Sequence, residues 1–163
     1  LKELAMVNYG GILSPFNAWL VARGLITAPL RMKQHSAVAL TVAQYLEQCP
    51  AVRFIWYPGL KSHPQHDRAV RLMNGQYSGM ISFDIHGDER VHQKFLDSLH
   101  LITHAVSLGD VESLIVYYDK NSDKLPHYPK IYQDGFFRFS VGLEDAEDVI
   151  ADLEQALKTC TAL

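Results

Sequence analysis

The sequence predicts an α/β fold: one sheet of short strands with helices stacked on one side of it. Segments with strand periodicity alternate with segments of helical periodicity along the chain. The strands are two-faced. In residues 80–86, Ile81, Phe83 and Ile85 alternate with Ser82, Asp84 and His86, so one face is built for burial and the other for something more polar. Length agrees: 163 residues, 48% hydrophobic and 20% charged, suffice for one folded unit with a sizeable core.

Residues 1–14 read as a connecting segment ending in Tyr9-Gly10-Gly11-Ile12-Leu13-Ser14. Ser14 suits an N-cap and Pro15 a first helical position, so a helix is predicted from 15 to about 25, with Gly24 as its terminator. A longer helix over 29–48 follows from the stripe Leu30, Ala37, Val38, Leu40, Thr41, Ala43, Tyr45 and Leu46, and Pro50 stops it. Residues 52–57 alternate as a strand before the turn at Pro58-Gly59. A short helix is predicted over 64–73, a strand over 80–86 and a helix over 88–99 that buries Val91, Phe95, Leu96 and Leu99. Residues 101–106 should form a strand leading into Ser107. Residues 116–135 are rich in Asp, Asn, Pro and Gly and should be irregular. A last strand over 136–141 precedes a helix over 145–158, whose acidic start and Lys158 suit the helix dipole.

Bulk properties exclude several classes. A net charge of -3 offers no general nucleic-acid surface. No apolar run approaches the roughly 20 residues that span a bilayer, so no membrane association is expected. Two distant cysteines, Cys49 and Cys160, give no disulfide framework, which fits a reducing, cytoplasmic location. No metal site is expected either: His63 and His66 straddle Pro64 without a third ligand nearby, and His100 and His104 are about 13 Å apart on an extended segment. Neither a phosphate-cradling glycine loop nor a nucleophile elbow is present.

Two stretches carry candidate chemistry. One is 104–114, where an apolar segment stops at Ser107-Leu108-Gly109-Asp110 and glycine permits a sharp turn with open backbone groups. The other is Phe136-Phe137-Arg138-Phe139-Ser140, an aromatic strand with one arginine at its centre. A guanidinium on a strand can grip a carboxylate with two parallel hydrogen bonds, so the pair could hold a small carboxylic acid such as an amino acid. The same residues also fit an ordinary surface arginine and an ordinary turn serine.

Ordered matches over nearly the whole chain favour the first reading. Gly-Gly-Ile-Leu-Ser-Pro at 10–15, Ala-Arg-Gly-Leu at 22–25, Leu-Arg-Met at 30–32 with His35, Tyr-Pro-Gly-Leu at 57–60 with His63-Pro64, Gly-Met-Ile-Ser-Phe at 79–83, Ala-Val-Ser-Leu-Gly-Asp-Val-Glu-Ser-Leu at 105–114 and Arg-Phe-Ser-Val-Gly-Leu-Glu-Asp at 138–145 together resemble the C-terminal part of the Cys/Met-metabolism (transsulfuration) enzymes that use pyridoxal 5′-phosphate. That family includes methionine γ-lyase, O-acetylhomoserine sulfhydrylase and the cystathionine synthases and lyases.

The resemblance implies the small C-terminal domain of an aspartate aminotransferase-like, fold type I enzyme, a mainly antiparallel sheet with helices on one side. Residues 1–28 would be the connection and helix from the large cofactor domain, and 29–163 the substrate-gripping domain. Ser107, Leu108 and Arg138 would bind the substrate α-carboxylate. Pyridoxal 5′-phosphate would be bound by the upstream domain, and the assembly would be a homo-oligomer, a tetramer in the full-length family. The reaction would be elimination or replacement at the γ or β carbon of a sulfur amino acid. No catalytic or cofactor-binding residue is expected in this chain: the family's cofactor lysine lies in a serine-x-threonine-lysine type segment not found here, so the chain alone is expected to be inactive. Val106 looks more like the methionine γ-lyase and sulfhydrylase branch. Residues 117–126 depart from the Thr-His-Ser/Ala-like stretch usual there, which leaves the substrate open. That departure and the missing lysine also permit another reading, a truncated or degenerate module for interaction or assembly.

Overall fold

A computed structural model describes Met6 and residues 10–161. The rest of the connecting segment predicted over 1–14 lies outside the described residues. Contacts divide the chain into an N-terminal unit ending at Arg31 and a second unit beginning at Met32.

In the first unit, α1 (Pro15–Ile26) starts as predicted: Ser14 Oγ accepts from the Asn17 N–H at 3.2 Å, and proline takes the first helical turn. Gly24 does not end it. It lacks the left-handed φ of a glycine cap, and the helix runs two residues further to Ile26, with Thr27 as its C-cap. No residue of α1 is buried, although Phe16, Trp19, Leu20, Val21, Leu25 and Ile26 are apolar.

The second unit takes up α2 (Ala28–Gln48) from Met32 onward. Val38, Ala39, Val42, Ala43 and Leu46, spaced at helical intervals, are buried. Then come β1 (Val52–Trp56), α3 (His66–Met73), β2 (Met80–Ile85), α4 (Glu89–Asp97), β3 (Thr103–His104), β4 (Leu114–Tyr118), β5 (Phe136–Ser140) and α5 (Ala146–Thr161). The strands form one sheet in the order β1-β2-β5-β4-β3, antiparallel throughout except for the parallel β3–β4 pair. The predicted α/β class and mainly antiparallel sheet are both present.

Register sorts the two faces. Ile81, Phe139 and Ile115 lie side by side across β2, β5 and β4, as do Phe83, Phe137 and Tyr117. This face carries the main core, joined by Val42, Ala43 and Leu46 of α2, Phe95 of α4 and Val149, Leu153 and Ala156 of α5. The intervening row, Ser82, Arg138 and Val116, looks the other way. There a smaller apolar cluster of Leu125, Tyr132 and Phe136 packs with Phe54, Trp56 and Tyr118. It is supplied by two 3₁₀ turns, Leu125–His127 and Lys130–Tyr132, from the stretch predicted to be irregular. No described helix is long and apolar enough to cross a membrane.

Two expectations are corrected. The strand predicted over 101–106 shrinks to Thr103–His104, because Asp152 on α5 draws the preceding backbone out of strand geometry: its Oδ1 accepts from the His100 N–H and its Oδ2 from those of Leu101 and Ile102, all at 2.9 Å. The irregular stretch begins later than position 116, since Leu114-Ile115-Val116-Tyr117-Tyr118 is a β-branched and aromatic run that pairs along the whole of β5.

Buried Asp84 and His92 are each paired through one side-chain atom. Asp84, placed on the polar face of its strand by the sequence, receives the Arg53 Nε–H at 2.6 Å. His92 Nε2 donates to Ile85 O at 3.2 Å and lies 3.3 Å from Asp84 Oδ1, off the line of a hydrogen bond but within reach of charge attraction. Burial alone would lower the His92 pKa, but the Asp84 carboxylate and the Ile85 carbonyl together outweigh it and raise the value.

For Asp152, burial pushes the carboxyl up, but the three backbone donors and Gln155 outweigh it and hold the pKa below the ordinary value. A depressed carboxyl pKa stabilises the fold above the unfolded value, near 4, and loses that contribution as pH falls through the lower folded value. Asp152→Asn should therefore cost about 2–3 kcal/mol at neutral pH, with the deficit shrinking as pH drops below about 4. Urea melts across that range would show it; a deficit independent of pH would mean that the carboxylate charge is not what holds residues 100–102.

Candidate functional site

β5 owes its position to alternation. Phe137 and Phe139, fully buried, fix one face into the main core, so Arg138 and Ser140 must emerge on the other. There the strand meets residues 105–113, the turn leading from β3 to β4.

Arg138 Nη2 donates to Val106 O at 2.6 Å and to Ser107 O at 3.0 Å. Its Nε is buried and has no hydrogen-bond partner among the described residues. The guanidinium carbon stands 5.9 Å from the centre of the Tyr118 ring, close enough for cation–π attraction. Two residues along β5, the buried Ser140 Oγ accepts from the Gly109 N–H at 2.8 Å. Gly109 has φ +71°, the left-handed conformation that glycine adopts without strain.

The turn after β5 holds the far end of the same loop. Leu143 N–H donates to Val111 O at 2.8 Å. Glu144 takes Ser113 by both ends, Oε1 accepting from its N–H at 2.6 Å and Oε2 from its hydroxyl at 2.9 Å. The Ser113 oxygen in turn accepts from the Gly142 N–H at 2.9 Å. Gly142 admits no side chain: a Cβ there would run into Val111 O and the Glu144 carboxylate. His35 Nδ1 donates to Val141 O at 2.8 Å and Gly142 O at 3.0 Å, tying this turn to α2.

The structure thus brings Arg138 and Ser107 together, through the serine's main-chain carbonyl. The Ser107 and Leu108 side chains are exposed, as is Val106. Sequence reasoning missed Ser140, Ser113, Glu144 and Tyr118. Ser140 was findable, since it shares the strand face of Arg138. Glu144 was not, because an acid before a helix reads as a dipole-complementing residue. The histidine pairs have structural surroundings. His63 packs edge-on against Trp56 with ring centres 4.7 Å apart, and His66 Nδ1 donates to Pro58 O at 3.0 Å. Among the described residues no group of three His, Cys, Asp or Glu is placed to hold a metal ion.

Chemically, the arrangement is a guanidinium with one buried, unpartnered N–H, beside a loop whose apolar side chains Val106, Leu108 and Val111 are exposed. Such a donor suits a small planar anion such as a carboxylate.

Comparison with known proteins places the chain in a family. The family model for Cys/Met metabolism PLP-dependent enzymes matches residues 2–158. A canavanine gamma-lyase from Pseudomonas canavaninivorans is 43% identical over 162 residues, covering 96% of this chain and 40% of that protein. An L-methionine gamma-lyase from Porphyromonas gingivalis is 40% identical, with 96% and 41% covered. A Campylobacter jejuni crystal structure described as an O-acetylhomoserine (thiol)-lyase, containing N′-pyridoxyl-lysine-5′-monophosphate, superposes with a TM-score of 0.77 at 33% identity over 94% of this chain and 35% of that one. The chain spans about 40% of the length of the curated relatives it matches. It belongs to the Cys/Met metabolism PLP-dependent enzyme family.

The Glu144–Ser113 contact has a measurable value. Glu144→Ala leaves two buried donors on Ser113 without an acceptor and should destabilise the fold by about 2–4 kcal/mol, whereas Glu144→Gln, which keeps one carbonyl acceptor, should cost about half as much. Denaturant titration of both variants tests this; equal stability of Glu144→Ala and wild type would show that the loop is held without the carboxylate.

Proposed function

We propose that this member of the Cys/Met metabolism family contributes the substrate-gripping domain of an enzyme that eliminates or replaces a group at the γ or β carbon of a sulfur amino acid, a C–S lyase or sulfhydrylase. The observation that carries the reading is the Arg138 guanidinium, seated beside the Ser107-Leu108 loop with its buried Nε–H unpartnered. In this reading Arg138 binds the substrate α-carboxylate, helped by the Ser107-Leu108 turn beside it.

Bound pyridoxal 5′-phosphate supplies an electron sink for negative charge at Cα and Cβ of the amino acid. This chain's residues supply orientation. By fixing the carboxylate from β5, Arg138 sets the rotation about the bonds to Cα, and so which of them stands ready to break. Exposed Val106 and Leu108 place apolar surface at the edge of that contact, where excluding water strengthens the ion pair. The donor set fits the carboxylate end of the substrate. The cofactor itself and its lysine are assigned to the upstream domain, with residues 1–28 as the connection and 29–163 as the substrate domain. The unburied apolar side chains of α1 supply surface for that partner. The same reading carries a homo-oligomeric assembly. A degenerate, purely interacting module would have no use for a buried guanidinium donor kept without a partner.

Two experiments on the complete polypeptide test this. Arg138→Ala should weaken amino-acid binding by about 2–4 kcal/mol, the loss of a two-point charged contact; unchanged KM and kcat/KM would remove Arg138 from the site. On addition of pyridoxal 5′-phosphate, the complete polypeptide should develop the absorbance band of protein-bound cofactor, and this chain alone should not. A bound band in the isolated chain would move cofactor binding into it.

A further inference from the structure

We infer that Ser140 is a positioning residue of the carboxylate site: its hydroxyl fixes the Ser107 loop at Gly109, so that the loop can yield at Val106 and Ser107 when a carboxylate takes Arg138. The inference rests on the reading of Arg138 given above and extends it to a residue that touches neither substrate nor cofactor.

The starting point is the hydrogen count on the guanidinium. Nη2 carries two hydrogens and has two carbonyl partners, Val106 O at 2.6 Å and Ser107 O at 3.0 Å. A carboxylate can fork onto an arginine side-on, through Nε and Nη2, or end-on, through Nη1 and Nη2. Both geometries need an Nη2 hydrogen. A two-point grip on the substrate therefore competes with a loop carbonyl, and the side-on form also uses the unpartnered Nε–H. One of the two carbonyls must turn away as the substrate arrives.

A loop that gives up its tie to Arg138 needs a second tie that holds. Downstream it has Val111 O and Ser113, fastened to the turn after β5. Next to the yielding carbonyls it has Gly109 N–H on Ser140 Oγ, at 2.8 Å. Ser140 is 2% exposed, so water does not compete for this bond. It sits on the same strand face as Arg138, two residues on, which makes the guanidinium and the loop's fixed point parts of one rigid element. Gly109, with its left-handed φ, separates this tie from residues 106 and 107, whose carbonyls are the ones bound to Arg138. Without the tie, the loop would follow its carbonyls and the carboxylate would meet a guanidinium with no fixed wall beside it.

The test uses the complete polypeptide loaded with pyridoxal 5′-phosphate, with L-methionine and its carboxamide, L-methioninamide, as probes. Hydrogen exchange at the Gly109 amide is the second readout. Wild type should prefer the acid over the amide. Ser140→Ala should lower that preference about tenfold and speed Gly109 exchange about tenfold, the loss of one buried hydrogen bond. Ser140→Thr, which keeps the hydroxyl, should stay near wild type in both. A general loss of structure would weaken acid and amide alike, so the ratio isolates the positioning effect. If Ser140→Ala leaves either readout at its wild-type value while Arg138→Ala abolishes the acid preference, the inference is overturned and the carboxylate reading stands. If the preference survives Arg138→Ala, or is absent in wild type, the carboxylate reading falls and this inference falls with it.

Discussion

The alternation of side chains on β5 is the constraint from which the rest follows. Phe137 and Phe139 are fully buried against β2, β4 and the helices, and burying each is worth about 1.5–3 kcal/mol. A shift of one residue would turn both phenylalanines outward and drive Arg138 into the core. The aromatic core thus aims the arginine at no additional cost. Neighbouring strands repeat the logic, with Ile81 and Phe83 on β2 and Ile115 and Tyr117 on β4 facing the same way. The helices α2, α4 and α5 then have one apolar face to cover, and the other face is shared between the smaller cluster around Tyr132 and Phe136 and the Arg138 site.

Most of this architecture was legible. Helical stripes and strand alternation gave α2, α4, α5, β1, β2 and β5 nearly to their observed ends, because each element's own pattern agrees with its place in the sheet. What failed did so for non-local reasons. Nothing near residues 100–106 says that a carboxylate some fifty positions later will gather three of their N–H groups. Gly24 has the composition of a helix terminator, and only backbone conformation shows that it is not one. β4 was obscured because its apolar run flows directly into turn-forming residues.

The candidate site divides along the same line. Arg138 was visible because a lone cation in an aromatic strand is out of character. Ser107 was visible as part of a glycine-bearing turn and through family resemblance. The supporting residues were not. Ser140, Ser113 and Glu144 act through hydrogen bonds to main-chain atoms roughly thirty positions away, and a serine or glutamate leaves no mark of such a role in its own neighbourhood. Small polar residues that organise a loop are therefore best sought by following the loop's backbone groups to their partners.

Those partners share one property. Val106, Ser107 and Val111 are held by their carbonyl oxygens, and Gly109 by its amide hydrogen. Apart from Gly109, whose left-handed φ favours glycine, and Asp110, whose Oδ1 accepts from the Val111 N–H at 2.7 Å, the grip between 106 and 111 takes no account of which side chains the loop carries, while Val106, Leu108 and Val111 project outward. Such a loop is evolutionarily cheap to redecorate. Its exposed positions can drift toward new substrates without loosening the scaffold, whereas Gly142, where any side chain would strike the loop backbone, is barred from the same drift.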